Sequence, residues 1–370
     1  MEEINENLHI ELLNFDKEKR EKWISERKPF SVLFELTSRC NFNCIHCYLQ
    51  NCHISQQLPF AEIKEILDIL FENGILFLTF TGGEVFSRTD FLDIYIYAKK
   101  RGFFVEIFTN GYLINDNAIN LFKEYPPLLV DVSLYGACEE TYSRVTGVSG
   151  AFEKVIENCK KMQEAGVRVS LKTPVIKPTY EDLRAMRDLA DSLGIQFVYT
   201  FEISPTIDRD TSPVDQQVPL RTILKHEFQN YYDQVQDGTR ALGEKNHEEI
   251  EALKKNPCVY ACNVALNSFV IDYKGNMCPC MKLRHKGEKL TKDNYSVLWD
   301  KFSIFSKKIA SRNYKCLACP SRYYCDVCPA EMDLIYGDEE YRDNDLCKPA
   351  KIRRLFYENN ISVSDALKGV

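Results

Sequence analysis

The chain has 370 residues, 45% hydrophobic and 27% charged, with a formal net charge of -7. That length and composition support one large domain and a smaller one around a buried core, and exclude a disordered chain. The acidic balance argues against a nucleic-acid partner, and the absence of any run of about 18 apolar residues argues against a membrane span or a secretory signal, so a cytoplasmic protein is expected.

Residues 1–30 read as an N-terminal extension. From Ser31 to Ile203, short β-type runs alternate with helical ones. The strand candidates are 31–37, 75–81, 103–109, 128–134, 167–175 and 195–203. Between them lie amphipathic stretches such as 60–74, where Ile63, Ile66, Leu67 and Leu70 share one helical face. A second helix is expected from Tyr180 to Leu193, with Thr179 as its N-cap and Gly194 as its C-cap. Strands alternating with helices imply a parallel sheet with helices outside it. Six such units are too few for a closed eight-stranded barrel, so the expected α/β fold is a partial (β/α)6 barrel with its site at the strand C-terminal ends. Residues 218–255 read as a charged final helix and connector, placing a domain boundary near Asn256 (31–256). Residues 257–350 form a cysteine-dense segment with one readable hairpin around Asp272–Gly275, and 351–370 are expected to be a tail. A small segment with little core of its own needs metal to hold it together.

Fifteen cysteines are unusual in such a chain. In a reducing compartment they suit metal binding better than disulfides. Cys40, Cys44, Cys47 and Cys52 lie near the start and nine more between Cys258 and Cys347; Cys138 and Cys159 stand apart, in helical context, and are expected to be buried apolar side chains.

Directly after the first strand, Cys40, Cys44 and Cys47 form a C-x3-C-x2-C pattern. Three thiolates on one short loop can hold three irons of a four-iron cluster and leave the fourth iron open to a small molecule. Zinc is the alternative, but zinc sites favour C-x2-C units and four protein ligands. The loop resembles the signature of the radical S-adenosylmethionine (SAM) superfamily, with His46 at the position usually held by an aromatic residue. The resemblance covers about residues 31–203 and implies further SAM contacts. Gly82-Gly83-Glu84 is similar to the family's GGE edge, which binds the methionyl amine; taken alone it also reads as an ordinary turn. Ser133 and Arg144 match positions that bind SAM polar groups and its carboxylate, though a lone arginine also suits a solvated surface. Asn110 contacts SAM or substrate, or simply makes an Asn-Gly turn. Lys172 faces either the cavity or solvent.

The later cysteines resemble the SPASM domain, an extension that binds two auxiliary 4Fe-4S clusters. Cys262 is followed by Gly275 and Cys280; then come Cys316, Cys319, Cys325 and Cys328, and finally Cys347. One gap departs from the family form, since Cys325 and Cys328 enclose two residues where three are usual. The resemblance implies that Cys262, Cys280 and Cys328 hold an inner cluster with Cys258 as fourth ligand. It assigns Cys316, Cys319, Cys325 and Cys347 to an outer one. Cys278 competes with Cys280 for the same iron, and a pair of zinc sites is the alternative for the whole segment.

The implied cofactors are therefore SAM and three 4Fe-4S clusters. When bound, SAM and the first cluster supply a one-electron cleavage that yields methionine and a 5′-deoxyadenosyl radical able to abstract hydrogen. Residues 133–152 look most like the ribosomal-peptide maturases. The expected substrate is thus a peptide or protein, altered by a thioether, a carbon–carbon crosslink or epimerisation. The expected partners are a flavodoxin or ferredoxin electron donor and a separate leader-binding protein, because the thirty residues before the first strand are too few for a leader-binding domain. Two alternatives stay open: a radical SAM enzyme acting on a sulfatase or a tetrapyrrole, and a non-catalytic electron-transfer or zinc protein.

Overall fold

The computed structural model describes residue 19 and residues 21–50, 57–239, 247–359 and 361–369. Cys52 and most of the N-terminal extension lie outside the described residues. Six strands, β1 (Ser31–Thr37), β2 (Phe77–Gly82), β3 (Phe104–Thr109), β4 (Leu129–Ser133), β5 (Val169–Pro174) and β6 (Gln196–Thr200), pair in sequential order. Every pairing among them is parallel. Parallel neighbours need crossovers, supplied by α1 (Phe60–Glu72), α2 (Phe91–Arg101), α3 (Asp116–Glu124), α4 (Glu139–Thr146), α5 (Ala151–Glu164) and α6 (Lys177–Leu193). Alternate residues of each strand bury themselves against this helical layer: Val32, Phe34 and Leu36 on β1, Leu78 and Phe80 on β2, Val130 and Val132 on β4, all fully buried. The predicted face of α1 is buried, with Ile69 added to it.

The helix expected from Tyr180 begins a turn earlier, at Lys177, because Pro178 suits the first turn. Thr179 is therefore not the N-cap. It sits at the third helical position, where its Oγ1 accepts the Ile176 N–H at 2.9 Å. Gly194 does cap the C-terminus, with φ 64°.

The C-terminal segment differs from expectation. It does not form a separate layer. Strand β7 (Ser268–Ile271) pairs parallel to β1, and β8 (Asn276–Cys278) and β9 (Glu288–Lys289) extend the same sheet antiparallel, giving nine strands in the order β6-β5-β4-β3-β2-β1-β7-β8-β9. Tyr260, Phe269, Met277, Leu283 and Trp299 belong to the same hydrophobic cluster as the barrel core. The segment thus borrows a core instead of lacking one. Arg27, ahead of β1, fastens to it: its guanidinium donates to the carbonyls of Ala265 and Trp299, and the Trp299 indole N–H donates back to the Arg27 carbonyl at 2.8 Å.

The connector and the tail also pack together. Helix α7 (Leu220–Gln236) buries Leu224, Phe228 and Tyr231 against Ile352 and Phe356 of a helix spanning Asn344–Asn359, with the Phe228 and Phe356 rings stacked at 3.8 Å. That second core crosses the expected boundary at residue 350. Among the described residues, no helix is long and apolar enough to cross a membrane.

Candidate active site

The loop after β1 is shaped by its neighbours. Asn43 and Ile45 donate backbone N–H bonds to the carbonyls of Thr146 and Val145 at the end of α4 (2.9 and 3.1 Å), and Phe42 is buried beside the Tyr112 and Tyr142 rings. Arg88, with its side chain almost wholly buried, donates to the carbonyls of Leu36 and Leu58 at 3.0 Å each and so fixes the end of β1. Gly82 and Gly83 serve the same end. A Cβ on Gly82 would lie 2.2 Å from the Thr37 carbonyl oxygen, and one on Gly83 2.2 Å from that of Arg39. The glycine pair lets the β2 edge press onto the backbone that launches the cysteine loop.

Cys40, Cys44 and Cys47 are brought together on this loop, close enough that each of Cys40 and Cys47 acts on Cys44. Burial first, and then its neighbours, pushes the Cys40 thiol up to about 12 and Cys44 well above its ordinary value. The Cys40 sulfur accepts the Phe42 N–H at 3.4 Å and the Cys47 sulfur that of Leu49 at 3.4 Å. Such thiols are protonated until a metal displaces the proton. Two buried polar atoms beside them, Asn41 Nδ2 and His46 Nδ1, have no partner. Thiols on one short loop with unpaired polar atoms around them fit an iron–sulfur cluster and a polar small molecule. Cys40, Cys44 and Cys47 would hold the first, and His46 and the Gly83–Glu84 edge would face the second.

The expected SAM residues divide into two groups. Glu84 and Asn110 sit at the loop. The buried Glu84 carboxylate accepts from Phe86 N–H (3.0 Å), Thr109 Oγ1 (2.8 Å) and Asn110 N–H (2.7 Å), which leaves one of its roughly four acceptor positions for an ammonium. Asn110 donates from Nδ2 to Asn41 at 2.8 Å and lies 3.8 Å from the Cys40 sulfur, while its Oδ1 accepts the Tyr112 N–H. It makes the turn and touches the loop at once. The His46 ring lies 5.3 Å from that of Tyr135, and burial lowers its pKa to about 4, so it is neutral. Ser133, in the second group, ends β4 half-buried on the barrel's inner face. Arg144 is more than half exposed on α4, 3.9 Å from Glu181.

Some of the C-terminal thiols lie near enough to influence one another. Cys262 and Cys280 are raised chiefly by burial, Cys280 to about 11, with Cys328 close enough to act on both. Cys347 is raised by burial and then by Cys316 and Cys319, and Cys316 likewise adds to the effect of burial on Cys325. Cys258 stands at a different junction: its N–H bonds to the Asn256 side chain, and its carbonyl accepts from Arg322. Cys278 ends β8. It is fully buried, with its sulfur 3.5 and 3.8 Å from the carbonyls of Asn276 and Arg284, and Cys280 is close enough to add to the effect of burial on it. Cys159 is fully buried as expected, but Cys138 is not: it is the exposed N-cap of α4, with its sulfur 3.8 Å from Asp182. Among the described residues no three His, Cys, Asp or Glu side chains converge on one metal ion.

Between the two cysteine regions lies a cavity of about 320 Å³. His46 and Tyr48 of the first loop, Pro174 at the end of β5, residues 202–205 and Ile207 beyond β6, and Met281, Lys282, Arg284, His285 and Leu334 line it. Sequence reasoning missed its principal joint. Glu35, fully buried on β1, is held by both arms of Arg284, a residue 249 positions away, and accepts the Tyr48 hydroxyl at 2.6 Å. A glutamate inside the apolar strand SVLFELT was the available signal. Lys282 is likewise paired with Glu202 and Glu331.

A six-stranded parallel barrel with a three-cysteine loop at the strand ends defines a radical SAM domain. Residues 34–190 match the Radical SAM superfamily model. It is 31% identical over 229 residues to an Fe-coproporphyrin III synthase of Methanosarcina barkeri, covering 60% of this chain but 55% of that protein, about half its length. It is 25% identical over 344 residues to the antilisterial bacteriocin subtilosin biosynthesis protein AlbA of Bacillus subtilis, covering 88% of this chain and 72% of AlbA. The fold is shared with Streptococcus suis SuiB, solved bound to its precursor peptide SuiA, at a TM-score of 0.66 and 18% identity over 89% of this chain and 80% of SuiB.

Proposed function

We propose that this enzyme cleaves SAM reductively and modifies a peptide or protein by hydrogen abstraction, as a maturase with two auxiliary 4Fe-4S clusters in a SPASM-type C-terminal segment. The observation that carries the reading is the cavity. One wall is the first cysteine loop and the other is the segment between Cys280 and Cys328, so a substrate held there meets both redox regions. The chain's own residues bind and orient. Glu84 offers its remaining acceptor position to an ammonium, Ser133 its hydroxyl, and the apolar lining of Pro174, Ile203, Ile207 and Met281 excludes water. Cys262, Cys280 and Cys328 would hold the inner cluster, with Cys258 as its fourth ligand, an assignment that Cys258→Ala with an iron count tests. Cys316, Cys319, Cys325 and Cys347 would hold the outer one. An electron donor of flavodoxin or ferredoxin type and a separate leader-binding protein complete the proposal.

A second reading, a tetrapyrrole substrate, draws on the coproporphyrin synthase relative. The cavity weighs against it: about 320 Å³ is at the small end of the roughly 300–1,000 Å³ typical of ligand sites and suits one side chain better than a macrocycle. The test is anaerobic incubation with SAM, dithionite and, in parallel, short peptides encoded beside the gene or Fe-coproporphyrin III. Product peptide, by mass change or by a D-residue after hydrolysis, supports the first reading; porphyrin turnover overturns it.

A further inference from the structure

A closed eight-stranded barrel fills its interior with apolar side chains, whereas this partial barrel leaves room inside. Here three charged side chains face inward on the middle strands. By strand alternation the inward positions include Thr79 on β2, Glu106 and Phe108 on β3, Leu129, Asp131 and Ser133 on β4, and Ser170 and Lys172 on β5. The register sets their levels: Ser133 lies opposite Lys172, Asp131 opposite both Phe108 and Ser170, and Glu106 opposite Thr79. Lys172 leaves the backbone at the rim beside Ser133 but sends its ammonium down to Asp131, 3.4 Å away, over the Phe108 ring. Thr79 donates to Glu106 Oε2 at 2.9 Å. Ser170, 3% exposed, has a buried hydroxyl with no hydrogen-bond partner. Buried hydroxyls are normally satisfied, so this one marks a place where a partner is missing.

The charges do not balance. Two carboxylates, Glu106 and Asp131, face one ammonium, Lys172. The site is also reachable: the Lys172 and Asp131 side chains are 26% and 16% exposed, and Val198, opposite Lys172 on the open edge strand, is 50% exposed. One level down a strand is about 7 Å, the reach of a long side chain.

We propose that this barrel floor is a recognition subsite for a cationic group of the substrate, an ammonium or guanidinium, which pairs with Glu106 and Asp131 and takes the Ser170 hydroxyl as a further partner. The substrate would present its reacting carbon near Ser133 and extend the cation about 7 Å below it to the level of Asp131, with Glu106 one level further down opposite Leu129, the geometry of a long basic side chain in a peptide. A polycarboxylate would meet two carboxylates there. The raised pKa of Glu106, from burial and then from Asp131, is consistent with a site short of positive charge. This inference rests on the radical SAM reading for the place of the reacting carbon, but the charge of the site is tested without SAM.

The experiment is saturation-transfer NMR on the full reconstituted chain, with n-butylammonium and butyrate as probes. Butylammonium should bind saturably and butyrate should not. Glu106→Gln should weaken butylammonium about tenfold, the worth of one charge-assisted hydrogen bond. Lys172→Met should strengthen it, because the internal competitor for Asp131 is gone, and a variant that merely damages the fold cannot do that. Absence of saturable butylammonium binding to the parent protein, insensitivity to Glu106→Gln, or butyrate binding that Lys172→Met abolishes would each overturn the proposal. A separate 5′-deoxyadenosine assay reports on the radical SAM reading, so the two fail independently.

Discussion

The barrel and the C-terminal cysteine segment share one sheet yet position their thiols by different means. In the barrel, the cysteine loop is bonded to the end of α4, pressed by the Gly82–Gly83 edge and backed by a fully buried aliphatic layer. In the C-terminal segment the strands run two to four residues, and most of the cysteines sit on turns or helix starts, partly exposed. The difference teaches where folding energy comes from. The barrel loop is shaped by packing and should keep its form without metal, whereas the C-terminal loops draw part of their order from metal binding.

The largest expected effect therefore comes from Cys328→Ala. It should remove about four of about twelve irons and expose residues 257–350 to limited proteolysis, while substrate-free SAM cleavage survives in part. Full iron retention with unchanged proteolysis would erase the contrast. Next is the protein-built joint between the regions. Arg284→Met leaves the Glu35 charge buried without its cation and should cost about 3–5 kcal/mol, read from denaturant unfolding. Glu35→Gln added to it should recover most of that loss, since both charges are then gone. Phe356→Ala should cost about 3 kcal/mol by opening a cavity in the small core of α7 and the C-terminal helix, with iron content unchanged. The smallest effect belongs to Cys138→Ser, which should alter stability by less than about 0.5 kcal/mol and leave all iron in place, because that thiol is exposed.

What could be read from the sequence was local. The six barrel strands declared themselves through short apolar runs, and α1 through the spacing of Ile63, Ile66, Leu67 and Leu70, because burial on one face imposes a period. The cysteine spacing pointed to a loop and two later sets, a division that iron counts on the substituted chains test. Non-local choices were not legible. That β7 joins β1, turning an expected separate domain into an extension of the sheet, depends on a pairing between segments more than 200 residues apart. The Arg284–Glu35 pair and the charged barrel floor are of the same kind, since each residue looks ordinary until strand register brings its partner. Cys138 was misjudged because a helical context does not say which side of the first turn faces solvent.

The account stands most directly on the first cysteine loop. The decisive measurement is 5′-deoxyadenosine formation under anaerobic conditions with SAM and dithionite, made on the parent chain and on Cys44→Ala, with iron counted in both. The account predicts product from the parent and none from Cys44→Ala, while the variant loses about four irons and keeps those of the C-terminal segment. Equal product from both proteins would contradict it.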